Sequence, residues 1–118
     1  MSAADYLDAL RLRRELTAAL DGVMQGADLL LTAISLDVAP VAAVGAEPTA
    51  WPLQASPFNV TGHPAMSVPA GFGRGGMPLA VQIVGRPFDE ETVLRAGHVL
   101  ERAFARDETK EKNEETSA

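Results

Sequence analysis

The order of apolar and polar positions predicts two helices and three strands. Apolar residues recur at helical spacing through residues 3–21, and a second such stripe follows Asp89. Between these stripes, three short apolar runs predict strands at residues 27–32, 65–68 and 79–85. The pattern therefore predicts the α/β class, with a small three-stranded mixed sheet packed by two helices.

The predicted helices carry start and stop signals. Ser2, followed three residues later by Asp5, has the outline of a capping box, and we expect Gly22 and Gly26 to end the first helix. Asp89 is a strong N-cap for the last helix. A short turn of helix is also expected over residues 57–61, before a glycine.

The strands are expected to pair in two ways. The run at 27–32 is apolar without alternation, which is typical of a strand covered on both faces in a parallel sheet. The strand at 65–68 is bounded by Pro64 and Pro69. A glycine-dense link over residues 71–78 favours an antiparallel hairpin between this strand and the next. One parallel and one antiparallel neighbour make a mixed sheet.

The remaining segments are predicted to lack regular structure. Residues 33–56 contain scattered prolines and glycines without a period, and we expect a long loop that Trp51 helps to hold against the body. Residues 107–118 are polar throughout and are expected to form a disordered acidic tail. The chain is thus predicted to be a single domain over residues 1–106 followed by this tail.

Composition and charge exclude several classes of function. With 118 residues and 47% apolar residues, the chain is long enough for one folded core. The net charge of −6 and the lack of a basic stripe argue against a nucleic-acid partner. There is no cysteine, no basic and apolar secretion signal, and no run of membrane-spanning length. We therefore expect a cytoplasmic protein that does not bind membranes.

The glycine-rich link matches a nucleotide-binding spelling without the required context. Gly71, Gly73 and Gly76 have the spacing of the dinucleotide fingerprint, which needs a helix to begin there so that its amides meet the phosphates. A strand-like run follows instead, so we interpret these residues as hairpin glycines. No cofactor is predicted.

Candidates for catalysis or metal binding are few. The only lysines, Lys110 and Lys112, lie in the predicted tail, which rules out a Ser–Lys pair within the folded body. A pair between Ser67 and His63 stays open. His98, the other histidine, lies inside the last predicted helix without a carboxylate at metal-binding spacing, so it is interpreted as structural or exposed, and no metal site is predicted.

One polar turn is a candidate binding element. Asn59, Thr61 and His63 lie within five residues of each other, between the short helical turn and the second strand. Polar side chains in such turns usually bond to the backbone, but they also contact ligands where the turn borders a cleft. These three residues are the predicted substrate-binding positions.

Two stretches carry a family resemblance. PFNVTGHPAMSVPAGF from Pro57, and GMPLAVQIVGRPFDEETVLRAGHVLE from Gly76, resemble the carboxy-terminal segment of the amidase signature family of amide hydrolases. The likeness continues more weakly upstream to about residue 4 and includes the run ADLLLT from Ala27. The family usually continues Thr-Pro-Thr there, whereas this chain has Thr32-Ala33-Ile34-Ser35.

The resemblance implies a fragment of a larger enzyme. Members of the family have a large α/β/α body and hydrolyse amides with a serine nucleophile, a second serine in a Gly-Ser-Ser-Gly-rich stretch, and a lysine base. This chain has no Ser-Ser dipeptide, so no catalytic residue carries over. We expect the carboxy-terminal portion of an amidase, inactive alone. The alternative is a non-catalytic oligomeric module that binds a ligand or partner.

The expected partner follows from the size of the predicted sheet. A three-stranded sheet cut from a wider one leaves strand edges and apolar surface uncovered. The expected partners are therefore a second copy of the chain, giving a homo-oligomer and most simply a dimer, or the remainder of an amidase.

Overall fold

The structure is a computed structural model that describes residues 1–35, 38–39 and 53–116. Three α-helices and three strands make up the described part of the chain. In order they are α1 (Ala3–Met24), β1 (Leu29–Ala33), a 3-10 turn (Leu53–Ala55), α2 (Ser56–Thr61), β2 (Ala65–Phe72), a second 3-10 turn (Arg74–Gly76), β3 (Pro78–Gly85) and α3 (Glu90–Thr116). The predicted α/β class is confirmed. The interior of the predicted loop, including Trp51, lies outside the described residues.

Helix α1 begins where the sequence predicts and ends later. The Ser2 hydroxyl accepts the Asp5 backbone N–H, and the Asp5 carboxylate accepts the Ser2 backbone N–H, which completes the capping box. The prediction that Gly22 ends the helix is wrong, since the helix continues to Met24. A glycine inside a helix costs only about 1 kcal/mol. Burial of the Met24 side chain, which is 2% exposed, stabilises the final turn.

The sheet is antiparallel throughout, in the order β1-β3-β2. The expectation of a mixed sheet is therefore wrong in its parallel part: β1 pairs antiparallel with β3, with Leu31 opposite Ile83. The unbroken apolar run of β1 does not reflect burial on both faces, because Leu31 at its centre is 64% exposed. The predicted antiparallel hairpin between β2 and β3 is confirmed.

Strand β2 extends beyond the proline that was expected to end it. Pro69 sits within the strand opposite Ala80, and a register shift follows between Pro69 and Phe72. A proline lacks the N–H that a central strand needs on both sides, but an edge strand tolerates it. Among the described residues β2 pairs only with β3, so it is such an edge.

The core lies between the sheet and α3. Val68, Ile83 and Val93 form its buried centre, and α3 crosses mainly β2 and β3. Two glycines allow the close approach: a Cβ at Gly85 would lie 2.4 Å from Val93 Cγ2, and one at Gly97 would lie 2.6 Å from Met66 Sδ. These contacts fix α3 on one face of the sheet.

Helix α3 begins at its predicted cap and continues far along the chain. The Asp89 carboxylate accepts the Thr92 backbone N–H, as expected of an N-cap. The helical backbone runs to Thr116, whereas the sequence predicts a disordered tail from residue 107. None of the helices in the described ranges is long and apolar enough to cross a membrane.

Candidate functional site

A left-handed turn after α2 places the candidate residues. Helix α2 carries Pro57 in its first turn, and its last residue is Thr61. The chain reverses at Gly62, whose φ of 78° lies in the region that glycine adopts without strain. The Gly62 backbone N–H donates to the Phe58 carbonyl oxygen at 2.9 Å, closing the helix. This turn directs His63 back beneath the helix end, toward Thr61.

His63 joins the turn to helix α1. Its Nδ1 lies 2.9 Å from Thr61 Oγ1, and its Nε2 lies 3.2 Å from Asp21 Oδ1. The imidazole ring is completely buried, whereas the Asp21 side chain is 49% exposed. Although the Nε2–Asp21 distance is that of an ion pair, Nε2 makes no directed hydrogen bond in the described structure. The contact is therefore mainly electrostatic, because distance alone does not align the N–H with the carboxylate.

The carboxylate determines where the imidazole carries its proton. A lone pair on Nε2 would face the negative charge of Asp21, so the tautomer with the proton on Nε2 is favoured. Nδ1 then accepts the hydroxyl proton of Thr61. The same hydroxyl also lies 3.4 Å from the Phe58 carbonyl oxygen, which is the longer of its two contacts. Asp21, His63 and Thr61 form a continuous polar chain from the surface of α1 to the end of α2.

Two grooves meet at Asp21. The larger has a volume of about 690 Å³ and runs between α1 and the end of α2. The smaller, of about 350 Å³, lies beside the turn between α1 and β1. The larger groove is lined by Leu7, Leu10, Arg13, Arg14, Thr17, Ala18, Asp21 and Thr61. One wall is apolar, a second carries two arginines, and the Thr61–Asp21 side is polar.

Arg86 holds the smaller groove together. Its Nε donates to the Met24 carbonyl oxygen at 3.3 Å, and its Nη2 donates to the Ala27 carbonyl oxygen at 3.2 Å. The same guanidinium lies 3.2 Å from the Asp28 carboxylate. Since these carbonyls follow the end of α1, Arg86 satisfies groups that the helix leaves unpaired and fixes α1 against the end of β3.

The three predicted binding residues are placed differently. Thr61 and His63 are buried and in contact, and Thr61 also lines the larger groove. Asn59 is exposed and is not part of the groove lining in the described structure. Asp21 was not predicted, because nothing in the sequence links a helix residue to a turn so far along the chain. The structure thus brings two of the three predicted residues together with a residue that sequence reasoning missed.

The other candidate side chains are not drawn into this site. Ser67 is exposed on β2, and both nitrogens of the His63 ring face Thr61 and Asp21, so the open Ser67–His63 pair is not formed in the described part of the chain. His98 is exposed on α3. Over the residues that the structure describes, no group of three or more metal-binding side chains comes together.

The glycine-rich link behaves as a hairpin. Gly75 and Gly76 both have positive φ, and the Gly73 backbone N–H donates to the Met77 carbonyl oxygen at 2.7 Å. The link joins two directly paired strands and contains only a single 3-10 turn. It therefore lacks the helix N-terminus on which a dinucleotide phosphate would bind.

Comparison with known proteins identifies the family. The sequence model described as Amidase matches residues 1–94 of the chain. The chain belongs to the amidase family. This finding confirms the predicted resemblance and agrees with the small α/β fold of the described residues.

Relatives of the chain include components of amidotransferases and other amidases. The A component of the glutamyl-tRNA(Gln) amidotransferase of Geobacter metallireducens is 37% identical over 109 residues, which cover 86% of this chain and 22% of the relative. AmiD of Mycobacterium tuberculosis, whose name assigns it to the amidases, is 34% identical over 108 residues, covering 86% of this chain and 23% of the relative. The corresponding amidotransferase component of Brevibacillus brevis is 58% identical over 45 residues, covering 38% and 9%. This amidase-family chain thus spans about a fifth of the length of the first two relatives.

Proposed function

We propose that the chain is the carboxy-terminal portion of an amidase and that it does not hydrolyse amides by itself. The supporting observation is the match to the Amidase model over residues 1–94, in a chain that spans about a fifth of its relatives. Amide hydrolysis of the kind the family resemblance implies needs two serines and a lysine base. Here the only lysines are Lys110 and Lys112, beyond the matched region.

The one histidine network does not replace the missing lysine. A serine or threonine nucleophile needs a base in hydrogen-bond reach and donors that stabilise the oxyanion of the intermediate. Thr61 has His63 within 2.9 Å, but the hydroxyl lies at the end of a short helix and also contacts the Phe58 carbonyl oxygen, an acceptor. A carbonyl oxygen repels an oxyanion. We therefore assign the network to binding and positioning rather than to bond cleavage.

Within a complete amidase, the turn after α2 would form part of the substrate cleft. In this proposal Thr61 is the contact residue, because its side chain reaches the larger groove. His63 is a positioning residue that holds Thr61 and ties it to Asp21 on α1. Asn59 is exposed on α2, where it is placed to contact the remainder of the enzyme. The cytoplasmic location predicted from the sequence stays a prediction.

The genomic neighbourhood tests this proposal. We expect an upstream reading frame, continuous or adjacent, that encodes a lysine and a Gly-Ser-Ser-Gly-rich stretch. Produced together with this chain, the upstream product is expected to hydrolyse simple amides, and substitution of its serines should abolish the activity. A neighbourhood with no such frame would contradict the proposal.

A second candidate function is a non-catalytic module that binds a ligand or partner. The observation in its favour is the 690 Å³ groove, which has an apolar wall, Arg13 and Arg14 on a second wall, and the buried network at Thr61. A small carboxylate with an apolar tail fits this combination, because guanidinium groups pair with carboxylates. Calorimetric titration with hexanoate would distinguish the two, since binding that weakens on substitution of Arg13 and Arg14 with glutamine supports the module.

A further inference from the structure

The outer edge of β1 is an open strand edge without protection. In the described ranges of the chain, β1 pairs with β3 only, which leaves the backbone groups on its other side unpaired by any strand. Edge strands usually carry a proline, a charge or a bulge that prevents pairing with another chain. The five residues Leu29–Ala33 include neither a proline nor a charged side chain, and their register with β3 is continuous.

The opposite edge of the sheet is protected. Strand β2 contains Pro69, which has no N–H to offer, and its register shifts between Pro69 and Phe72. Gly71, within the shifted segment, has a φ of 98°. Such irregularity twists an edge away from flat pairing. The two edges therefore differ, and only the β1 edge is suited to accept another strand.

An apolar surface adjoins the open edge. Leu31 lies directly opposite Ile83, so both side chains point to the face on which α3 packs. Ile83 is completely buried, whereas Leu31 is 64% exposed, because α3 crosses mainly β2 and β3. The core-facing side of the sheet thus continues under β1 as an uncovered apolar surface.

We infer that β1 pairs antiparallel with β1 of a second copy about a two-fold axis at Leu31, which joins two sheets into one of six strands. In this register Leu31 meets Leu31 of the second copy, and Leu29 lies opposite Ala33. Both pairs fall on the α3 side, so the uncovered surface is buried. The inference rests on the proposed role of the chain as a non-catalytic part of an assembly, and it names the surface through which the assembly forms.

The β1 segment matches itself better than it matches a charged partner. A two-fold contact needs a surface that is complementary to its own copy. No charge occurs from Leu29 to Ala33, so self-pairing brings no like charges together. The nearest acid, Asp28, lies 3.2 Å from the Arg86 guanidinium, which balances its charge. A second copy is therefore the occupant that the edge favours over a strand from another protein.

Cysteine crosslinking tests the register directly, because the natural chain has no cysteine. Residues facing each other in an antiparallel pair have Cβ atoms about 4.5–5.5 Å apart, close enough for a disulfide with a small shift. Leu31→Cys is expected to form a disulfide-linked dimer under mild oxidation. Phe72→Cys, on the β2 edge, is the matched control because Phe72 is 65% exposed and Leu31 64%. The control is expected to stay mainly monomeric.

The mass of the unmodified chain in solution completes the test. We expect a dimer that becomes a monomer on Leu31→Lys and persists on Phe72→Lys, with circular dichroism confirming that both variants fold. A monomeric unmodified chain, equal crosslinking of both cysteine variants, or a dimer that survives Leu31→Lys would overturn the inference. None of these results bears on amide hydrolysis, so the proposed function fails or stands by a separate assay.

Discussion

At the scale of single residues, two glycines set how closely α3 approaches the sheet, and the structure ranks their importance. A Cβ at Gly85 would lie 2.4 Å from Val93 Cγ2 and 3.4 Å from the Asp89 carbonyl oxygen. Val93 is buried and branched, so it cannot move aside. A Cβ at Gly97 would instead meet the sulfur end of Met66, a flexible side chain that adapts more easily.

We predict that Gly85→Ala lowers the free energy of unfolding by about 2–3 kcal/mol, whereas Gly97→Ala lowers it by about 1 kcal/mol, because overpacking costs more against a rigid neighbour. Gly22→Ala is the control, since a Cβ there meets nothing within 4 Å and alanine favours the helix. Urea denaturation monitored by circular dichroism measures all three. Equal losses at Gly85 and Gly97 would contradict this ranking.

His63 is the second residue whose substitution discriminates. Its ring is completely buried and contacts Thr61 and Asp21, so we predict that His63→Ala lowers the free energy of unfolding by about 2–3 kcal/mol. Asp21→Asn should cost less than about 1 kcal/mol, because the Asp21 side chain is half exposed and water screens its charge. Denaturation at equal protein concentration tests the order. A larger loss for Asp21→Asn would show that the ion pair, not the buried ring, holds α1 to the turn.

At the scale of elements, the capping box gives α1 a pH dependence. The pKa of the Asp5 carboxyl lies below its ordinary value, because the Ser2 backbone N–H donates to it at 2.7 Å and the Ser2 side chain adds a second contribution. A carboxylate with a lowered folded-state pKa stabilises the helix above its ordinary, unfolded-state value. That contribution is lost as the pH falls through the folded-state pKa.

We therefore predict that fraying of the first turn of α1 increases as the solution is acidified below the ordinary pKa of aspartate. An NMR titration of the Asp5 carboxyl carbon measures the pKa directly. In the Ser2→Ala variant the pKa should rise part of the way, because the side-chain contribution is removed and the backbone N–H remains. An unchanged titration in this variant would contradict the role of the Ser2 hydroxyl.

Local chemistry made several elements predictable. The Ser2–Asp5 box, the Asp89 cap and the glycine link between β2 and β3 each depend on residues close in sequence, and the structure has all three. The direction of β1 was not predictable, because an unbroken apolar run fits a doubly covered strand and an exposed edge strand equally well. Its exposure only becomes visible once α3 is placed over the other two strands.

The candidate site shows the same division. The turn holding Thr61 and His63 was recognisable from its own residues, and the two side chains do meet. Asp21 was not, because its contact with His63 depends on how α1 packs against α2. The continuation of β2 through Pro69 likewise depends on β2 being an edge, which no local pattern reveals.

At the scale of the whole molecule, the features of the chain are those of a part of an enzyme rather than a whole one. It belongs to the amidase family, yet it spans about a fifth of relatives that are 34–37% identical to it. Its lysines, Lys110 and Lys112, lie outside residues 1–94, where the family match ends. The features that the chain does supply are a small antiparallel sheet with one open edge and a polar turn beside a groove.

The most direct test of this account is an assay of amide hydrolysis by the purified chain alone. Release of ammonia from simple aliphatic and aromatic primary amides should not exceed that of buffer, and the Ser67→Ala variant should give the same background. Ammonia release that is stoichiometrically in excess of the protein, and that falls to background on substitution of one of the chain's own serines, would contradict the account.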